Sequence, residues 1–262
     1  MLISSTKNEL IKHMKKLKER SYRRDTGLHL IEGERLVFDA LSCGIKLETT
    51  IVEENCSDIE ARLAALGIEY VSVTRNVLES VADTPSPQGI CASVCTPHAV
   101  VPDESTIAGM NGLYVALDRL QDPGNLGTII RTADAMGAGG ILLSTGCTDA
   151  FSPKALRSAM GSTYHLPIFC CDLVKTLPLF TQSGFTALCG HLKGDESFPQ
   201  IDNKCIIVIG NEGNGVSAET AELCTLCKLP MYGRAESLNA SVAASIFIYE
   251  AAKQLHKINT VF

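Results

Sequence analysis

Three short stretches in the second half of the chain carry residue types suited to a charged ligand: DPGNLGTIIRTADA at 122–135, GNEGNG at 210–215 and MYGRAESLN at 231–239. Each follows an apolar run and precedes a segment with helical spacing. Each therefore offers backbone N–H groups at a helix start, where anions are held. Arg131 is the unusual residue. Leu126, Ile129, Ile130 and Ala133 recur at helical spacing around it, and it lies about two turns into that helix, too deep to be a simple cap. On residue type alone, a solvated arginine is an equally good reading.

Two rival chemistries can be weighed directly. Gly213-x-Gly215-x-x-Ala218 formally fits a dinucleotide-binding fingerprint. That fold needs an acidic residue about twenty positions on, at the end of the next strand, and KLPMYG has none. Cys91-x3-Cys95 and Cys224-x-x-Cys227 raise a zinc reading. The first pair sits in an alternating strand-like run, the second straddles a helix end, and neither has a histidine at zinc spacing, so no metal site is assigned.

The elements that position these loops form an α/β series. GLYVALDRL (112–120) reads as a strand, Asp122-Pro123-Gly124-Asn125 as a turn, and GGILLST (139–145) as the next strand. This is a βαβ unit with a loop at its carboxyl edge, where open α/β sheets place ligands. Further strands are expected at 185–190, 205–211 and 228–231, and an amphipathic helix from about Leu238 to His256. The first half alternates strand-like and helix-like segments from residue 28 to 97. TPHAVVPDESTIAGM, with two prolines and no clear period, reads as a join. The expected domains are 1–97, a linker over 98–110, and 111–262.

The net charge of −6 argues at first against a nucleic-acid partner. Residues 1–24, however, hold eight Lys/Arg against Glu9 and Glu19, a local +6 that leaves −12 for the remainder. Thr6-x-x-Glu9 resembles a capping box, and Leu10, Met14 and Leu17 share a face, so a helix with outward lysines is expected. Lys15, Lys16, Arg20, Arg23 and Arg24 are the candidate phosphate contacts. A solvated helix or an organelle transit peptide would give a similar pattern, the glutamates weakening the second reading. Eleven cysteines, no signal segment and no apolar run long enough to span a bilayer point to a soluble cytoplasmic protein without membrane contact.

Taken together, Asn125-x-Gly127-x-x-x-Arg131-x-Ala133, Ile209-Gly210-Asn211-Glu212-Gly213, and Leu229-Pro230-Met231 followed by Ser237-Leu238-Asn239-x-Ser241-x-Ala243 resemble the three signature motifs of the SpoU (TrmH-type) RNA ribose methyltransferases of the SPOUT superfamily. The Lys/Arg-rich start, Ile31-Glu32-Gly33 and Leu36-Val37 are similar to that family's L30e-like substrate-binding domain. The resemblance covers nearly the whole chain. It implies an α/β fold whose C-terminal SPOUT domain carries a deep trefoil knot, one of the rare exceptions to unknotted chains.

The resemblance further implies S-adenosylmethionine as cofactor, held largely by main chain around Gly210, Leu229 and Leu238, with Met231 beside them. A side chain at Gly210 would obstruct the approach of main chain to ligand. The reaction it implies is methylation of a ribose 2′-hydroxyl in structured RNA, with ribosomal RNA favoured over tRNA. A non-catalytic RNA-binding protein on the same fold is the alternative. Arg131 would stabilise phosphate or alkoxide charge, since a guanidinium with a pKa above about 12 is a poor general base. Asn125, Glu212, Ser237 and Asn239 would complete the polar shell. Glu212 either orients Arg131 or Asn125, or is a carboxylate favoured by a helix dipole. A homodimer through the C-terminal domain is also implied, with Val242, Ile246, Ile248 and Tyr249 on the last helix compatible with it.

Overall fold

The computed structural model describes residues 2–97 and 99–259 and divides into two compact units, 1–97 with 151–164 and 98–150 with 165–262. The first unit runs β1 (Leu2–Ile3), α1 (Glu9–Lys16), α2 (Arg20–Thr26), β2 (Leu28–Glu32), α3 (Glu34–Ser42), β3 (Leu47–Glu53), α4 (Ser57–Ala65), β4 (Val71–Val73), α5 (Arg75–Val81) and β5 (Ile90–Cys95). Its sheet has the order β1-β4-β3-β5-β2, with β5 antiparallel to both neighbours. Because side chains alternate along a strand, adjacent residues serve opposite cores. Ile51 and Cys91 pack with Ile11, Met14 and Leu78, while Val52 and Ala92 pack with Val37, Ile59 and Leu63. Helix α1 starts later than the capping-box pattern implies. Asn8 is its N-cap, with Oδ1 accepting from Leu10 N at 2.9 Å, while Glu9 pairs with Lys12.

The second unit begins within the stretch read as a linker. Residues 104–109 form α6 (Glu104–Gly109), whose Ile107 is buried in that unit's core. Next come β6 (Gly112–Leu117), α7 (Pro123–Ala135) and β7 (Ile141–Ser144). The chain then contributes α8 (Pro153–Ala159) and a single 3-10 turn at Ser162–Tyr164 to the first unit. There Leu156 joins the core, and Tyr164 and His29 share a hydrogen bond of 2.7 Å. The second unit resumes with β8 (Ile168–Cys171), α9 (Leu173–Gln182), β9 (Thr186–Asp195), β10 (Lys204–Ile209), α10 (Ala218–Ala221), β11 (Thr225–Cys227) and α11 (Ala240–Asn259).

Its six strands are all parallel, in the order β11-β9-β10-β6-β7-β8. Parallel sheets are covered on both faces, which is why GLYVAL and CIIVI read as continuous apolar runs rather than alternating ones. From β6 the chain crosses through α7 to β7 on one side, while β10 occupies the other side. The carboxyl ends of β6 and β10 thus flank a topological switch point, where such sheets bind ligands. KLPM is not a strand. β11 ends at Cys227, and Pro230, with no N–H to give to a ladder, prevents its continuation, leaving residues 228–239 as a loop.

Candidate active site

The first loop leaves β6 through Asp118, a carboxylate only 4% exposed. It accepts from Ser217 N at 2.7 Å and Ser144 Oγ at 3.3 Å, and pairs with Arg119 Nε at 3.2 Å. Arg119 adopts φ +55 and turns the chain into α7. There Asp122 is the N-cap, accepting from Asn125 N at 2.9 Å, and Pro123 occupies the first turn, where its missing N–H costs nothing. Leu126, Ile129, Ile130 and Ala133 are buried, so the 3.6-residue period places Arg131 on the exposed face. It stands about 9 Å of helix rise beyond Asn125.

The second loop closes on itself. Asn211 N donates to Gly215 O at 3.0 Å and Gly215 N to Asn211 O at 2.9 Å, while Asn211 Oδ1 accepts from Gly213 N and Asn214 N. A Cβ on Gly210 would lie 2.1 Å from both Gly215 C and Val216 N. The glycine is therefore required by the chain's own backbone, a reason for it that holds independently of any ligand. The turn presents Glu212, whose carboxylate accepts from Asn125 Nδ2 at 3.0 Å, Asp122 N at 3.0 Å and Gln121 N at 3.1 Å. Partial burial pushes the Glu212 carboxyl up, but these three hydrogen bonds outweigh it and hold its pKa below the usual range.

Asn239 closes the arrangement from the third loop. Its Nδ2 donates to Asn125 Oδ1 at 3.1 Å, and its Oδ1 caps α11 by accepting from Ser241 N, Ser241 Oγ and Val242 N. Glu212, Asn125 and Asn239 thus form a chain of hydrogen bonds joining all three loops. Among the described residues, Arg131 and Ser237 make no hydrogen bond or ion pair, and no hydrogen bond ties residues 229–238. Leu229 and Met231 are half-buried and Leu238 is exposed in that stretch.

Residues 112–249 match the model of the SpoU rRNA Methylase family, and residues 8–92 that of the MRM3-like substrate binding domain. The chain belongs to the SpoU rRNA methylase family. It is 38% identical over 253 residues to the 23S rRNA (guanosine(2553)-2′-O)-methyltransferase RlmP of Bacillus subtilis, covering 94% of this chain and 97% of that one. Among solved structures, the AdoMet-bound rRNA methyltransferase of Sinorhizobium meliloti superposes with TM-score 0.87 at 31% identity, covering 97% of this chain and 98% of that one. The SpoU methyltransferase AviRb of Streptomyces viridochromogenes in complex with AdoMet gives 0.82 at 28% identity, covering 95% and 98%.

Within this SpoU fold the sequence-derived residues separate. Asn125, Glu212 and Asn239 are in contact; Arg131 and Ser237 are exposed on neighbouring elements, outside that network. In the first unit, Lys15 is half-buried and Lys16, Arg20 and Arg24 are exposed, Lys16 Nζ lying 5.6 Å from the Tyr22 ring centroid. Arg23 is corrected. It is 6% exposed, and its Nη1 donates to Leu17 O at 2.9 Å and Lys18 O at 2.8 Å, capping the carbonyl end of α1 instead of facing a phosphate. Ile248 is likewise fully buried, whereas Val242, Ile246 and Tyr249 are exposed. Sequence reasoning missed Asp118 and the Gln121 and Asp122 amides. A carboxylate at the end of an apolar strand, directly before a glycine-rich turn, was the available signal for the first.

Proposed function

We infer that this chain is an S-adenosylmethionine-dependent methyltransferase acting on a ribose 2′-hydroxyl of ribosomal RNA. The observation that carries the reading is the Glu212–Asn125–Asn239 chain, which assembles three sequence-distant loops at the carboxyl ends of β6, β10 and β11 beside an unpartnered Arg131. The residues present fit the cofactor. The stretch 229–238 keeps main-chain groups that no described residue occupies, and Leu229, Met231 and Leu238 offer apolar surface next to them. Bound there, the cofactor supplies an electrophilic methyl group on a sulfonium. Gly210 shapes the pocket indirectly, by allowing the 210–216 turn to close.

The chain's own groups then have separate tasks. Arg131 donates to the phosphate or to the 2′-oxygen as negative charge develops, which a fixed donor stabilises most where water is excluded. Glu212 holds Asn125, and Asn239 holds Asn125 from the other side, so the donors are oriented before the RNA arrives. Ser237 supplies a further hydroxyl at the loop's end. The basic start of the first unit, through Lys15, Lys16, Arg20 and Arg24, neutralises RNA phosphates.

The reading extends to a homodimer through the second unit, supported by Val242, Ile246 and Tyr249, which form an exposed apolar stripe along α11. It also includes the trefoil knot, supported by a path that runs from β9 inward to β10 and then back across β9 to β11. A cytoplasmic location is supported by the eleven free cysteines. No helix among the described residues is long and apolar enough to cross a membrane. The test is transfer of labelled methyl from S-adenosylmethionine to ribosomal RNA and to tRNA from a strain lacking the protein, followed by mapping of 2′-O-methyl positions. Label in tRNA alone would reassign the substrate, and label in neither would remove the activity.

A further inference from the structure

We propose that Tyr232 and Arg234, on the loop between β11 and α11, form a contact for the RNA strand beside the target nucleotide, Tyr232 stacking on an unpaired base and Arg234 taking the adjoining phosphate. The inference rests on the reading of the chain as an RNA methyltransferase. Three observations carry it.

Tyr232 is 96% exposed. A tyrosine side chain has a large apolar area to bury, yet this one stands on a stretch, 229–238, that no hydrogen bond ties among the described residues. The second unit carries nine Lys/Arg against fifteen Asp/Glu, so a cation there has acidic partners in excess. Of its three arginines, Arg119 is paired with Asp118, whereas Arg131 and Arg234 have no partner among the described residues. One unpaired guanidinium is on α7, in the first motif, and the other is on the loop of the third. Finally, Tyr232 is five residues from Ser237, so chain connectivity holds it within about 18 Å of the third motif.

An exposed aromatic with a cation two residues away suits a single RNA strand. Bases splayed from a loop stack on aromatic faces, and every base has such a face, so stacking needs no matched hydrogen-bond edge. Arg234 adds the charge complement that an apolar protein partner would not require. Glu236, two residues further on, is the one anion within the loop.

The chain contains no tryptophan, so Tyr232→Trp introduces a unique fluorophore at the proposed contact. Added 23S ribosomal RNA transcript should quench its emission, whereas a fully paired RNA duplex should quench it far less. Tyr232→Ala should weaken binding of the transcript by roughly five- to 150-fold, and Tyr232→Phe should restore it. Arg234→Gln should flatten the salt dependence of binding by about 0.7 log units of slope. Mass by light scattering should be unchanged in Tyr232→Ala, Tyr232→Phe and Arg234→Gln, and RNA binding is measured at saturating S-adenosylmethionine so that any change in the neighbouring cofactor site does not enter the comparison. Unquenched emission with the transcript, or wild-type RNA affinity in Tyr232→Ala, would overturn the contact. So would loss of dimer mass in Tyr232→Ala, which would assign the tyrosine to a second copy of the chain. Should the wild-type protein methylate no RNA, the proposed function would fall, while the fluorescence result would still decide whether RNA meets Tyr232.

Discussion

Replacing Arg131 with alanine should separate stability from chemistry. The guanidinium is exposed and has no partner among the described residues, so the change breaks no bond in the folded chain. Its buried neighbours on α7, Ile129 and Ile130, are untouched, and alanine is the best helix former. The folding free energy should therefore move by no more than about 0.5 kcal/mol. Loss of a donor aimed at developing charge costs about 2.7–4 kcal/mol in the transition state, a 100- to 1,000-fold fall in kcat. Arg131→Lys keeps the charge but not the planar fork, and should recover only part of that. The assay is labelled-methyl transfer at saturating cofactor, beside thermal melts and calorimetric titration of S-adenosylmethionine. Near wild-type turnover would refute the role. So would a large loss of melting temperature or a fall in cofactor affinity parallel to the rate, since either would make Arg131 a structural or pocket residue.

Asn239→Asp should keep the α11 cap, because Oδ1 still accepts from Ser241 and Val242, but should set an acceptor against Asn125 Oδ1; kcat should drop with little change in melting temperature, whereas Asn239→Ala should also lose about 1 kcal/mol of stability. Gly210→Ala should impair folding itself, since its Cβ meets backbone; a soluble variant with an unchanged melt would contradict the geometry. Replacing Lys15, Lys16, Arg20 and Arg24 with Gln should flatten the salt dependence of RNA binding by roughly 0.7 to 0.9 log units per lost contact, with an unaltered melt. Arg23→Gln should do the reverse, lowering the melting temperature by leaving the Leu17 and Lys18 carbonyls short of a partner, with little effect on the salt slope.

The parts of the fold that were legible in the sequence are those where period and punctuation agree. LHLIE, ERLVFDALS and LETTIVE form the strand, helix and strand with which the alternation expected from residue 28 begins. The misses have local causes. Pro178 lies inside α9 and interrupts the helical pattern that would have revealed it. Residues 104–109 look like a join because Pro97 and Pro102 precede them and no period is evident, yet Ile107 supplies a core contact that only tertiary packing reveals. Arg23 could not be told from Arg24 by type. The turn between α1 and α2 aims one at carbonyls and leaves the other exposed.

Glu212 shows how two readings of one residue become a single geometry. From sequence it is either a carboxylate that orients Arg131 or Asn125, or one favoured by a helix dipole. It does serve a helix start, but that of α7, almost ninety residues earlier in the chain, through the Gln121 and Asp122 amides. The same oxygen that accepts from Asp122 N also accepts from Asn125 Nδ2. Neutralising the helix end and aiming the amide are therefore inseparable, and a carboxylate with three donors and a lowered pKa is a poor acceptor for the proton of a ribose hydroxyl. On the proposed function, Glu212 acts through position: it fixes where Asn125 points, Asn239 holds the same amide from the cap of α11, and the developing charge falls to Arg131, the one cation of the set and a side chain without a partner among the described residues.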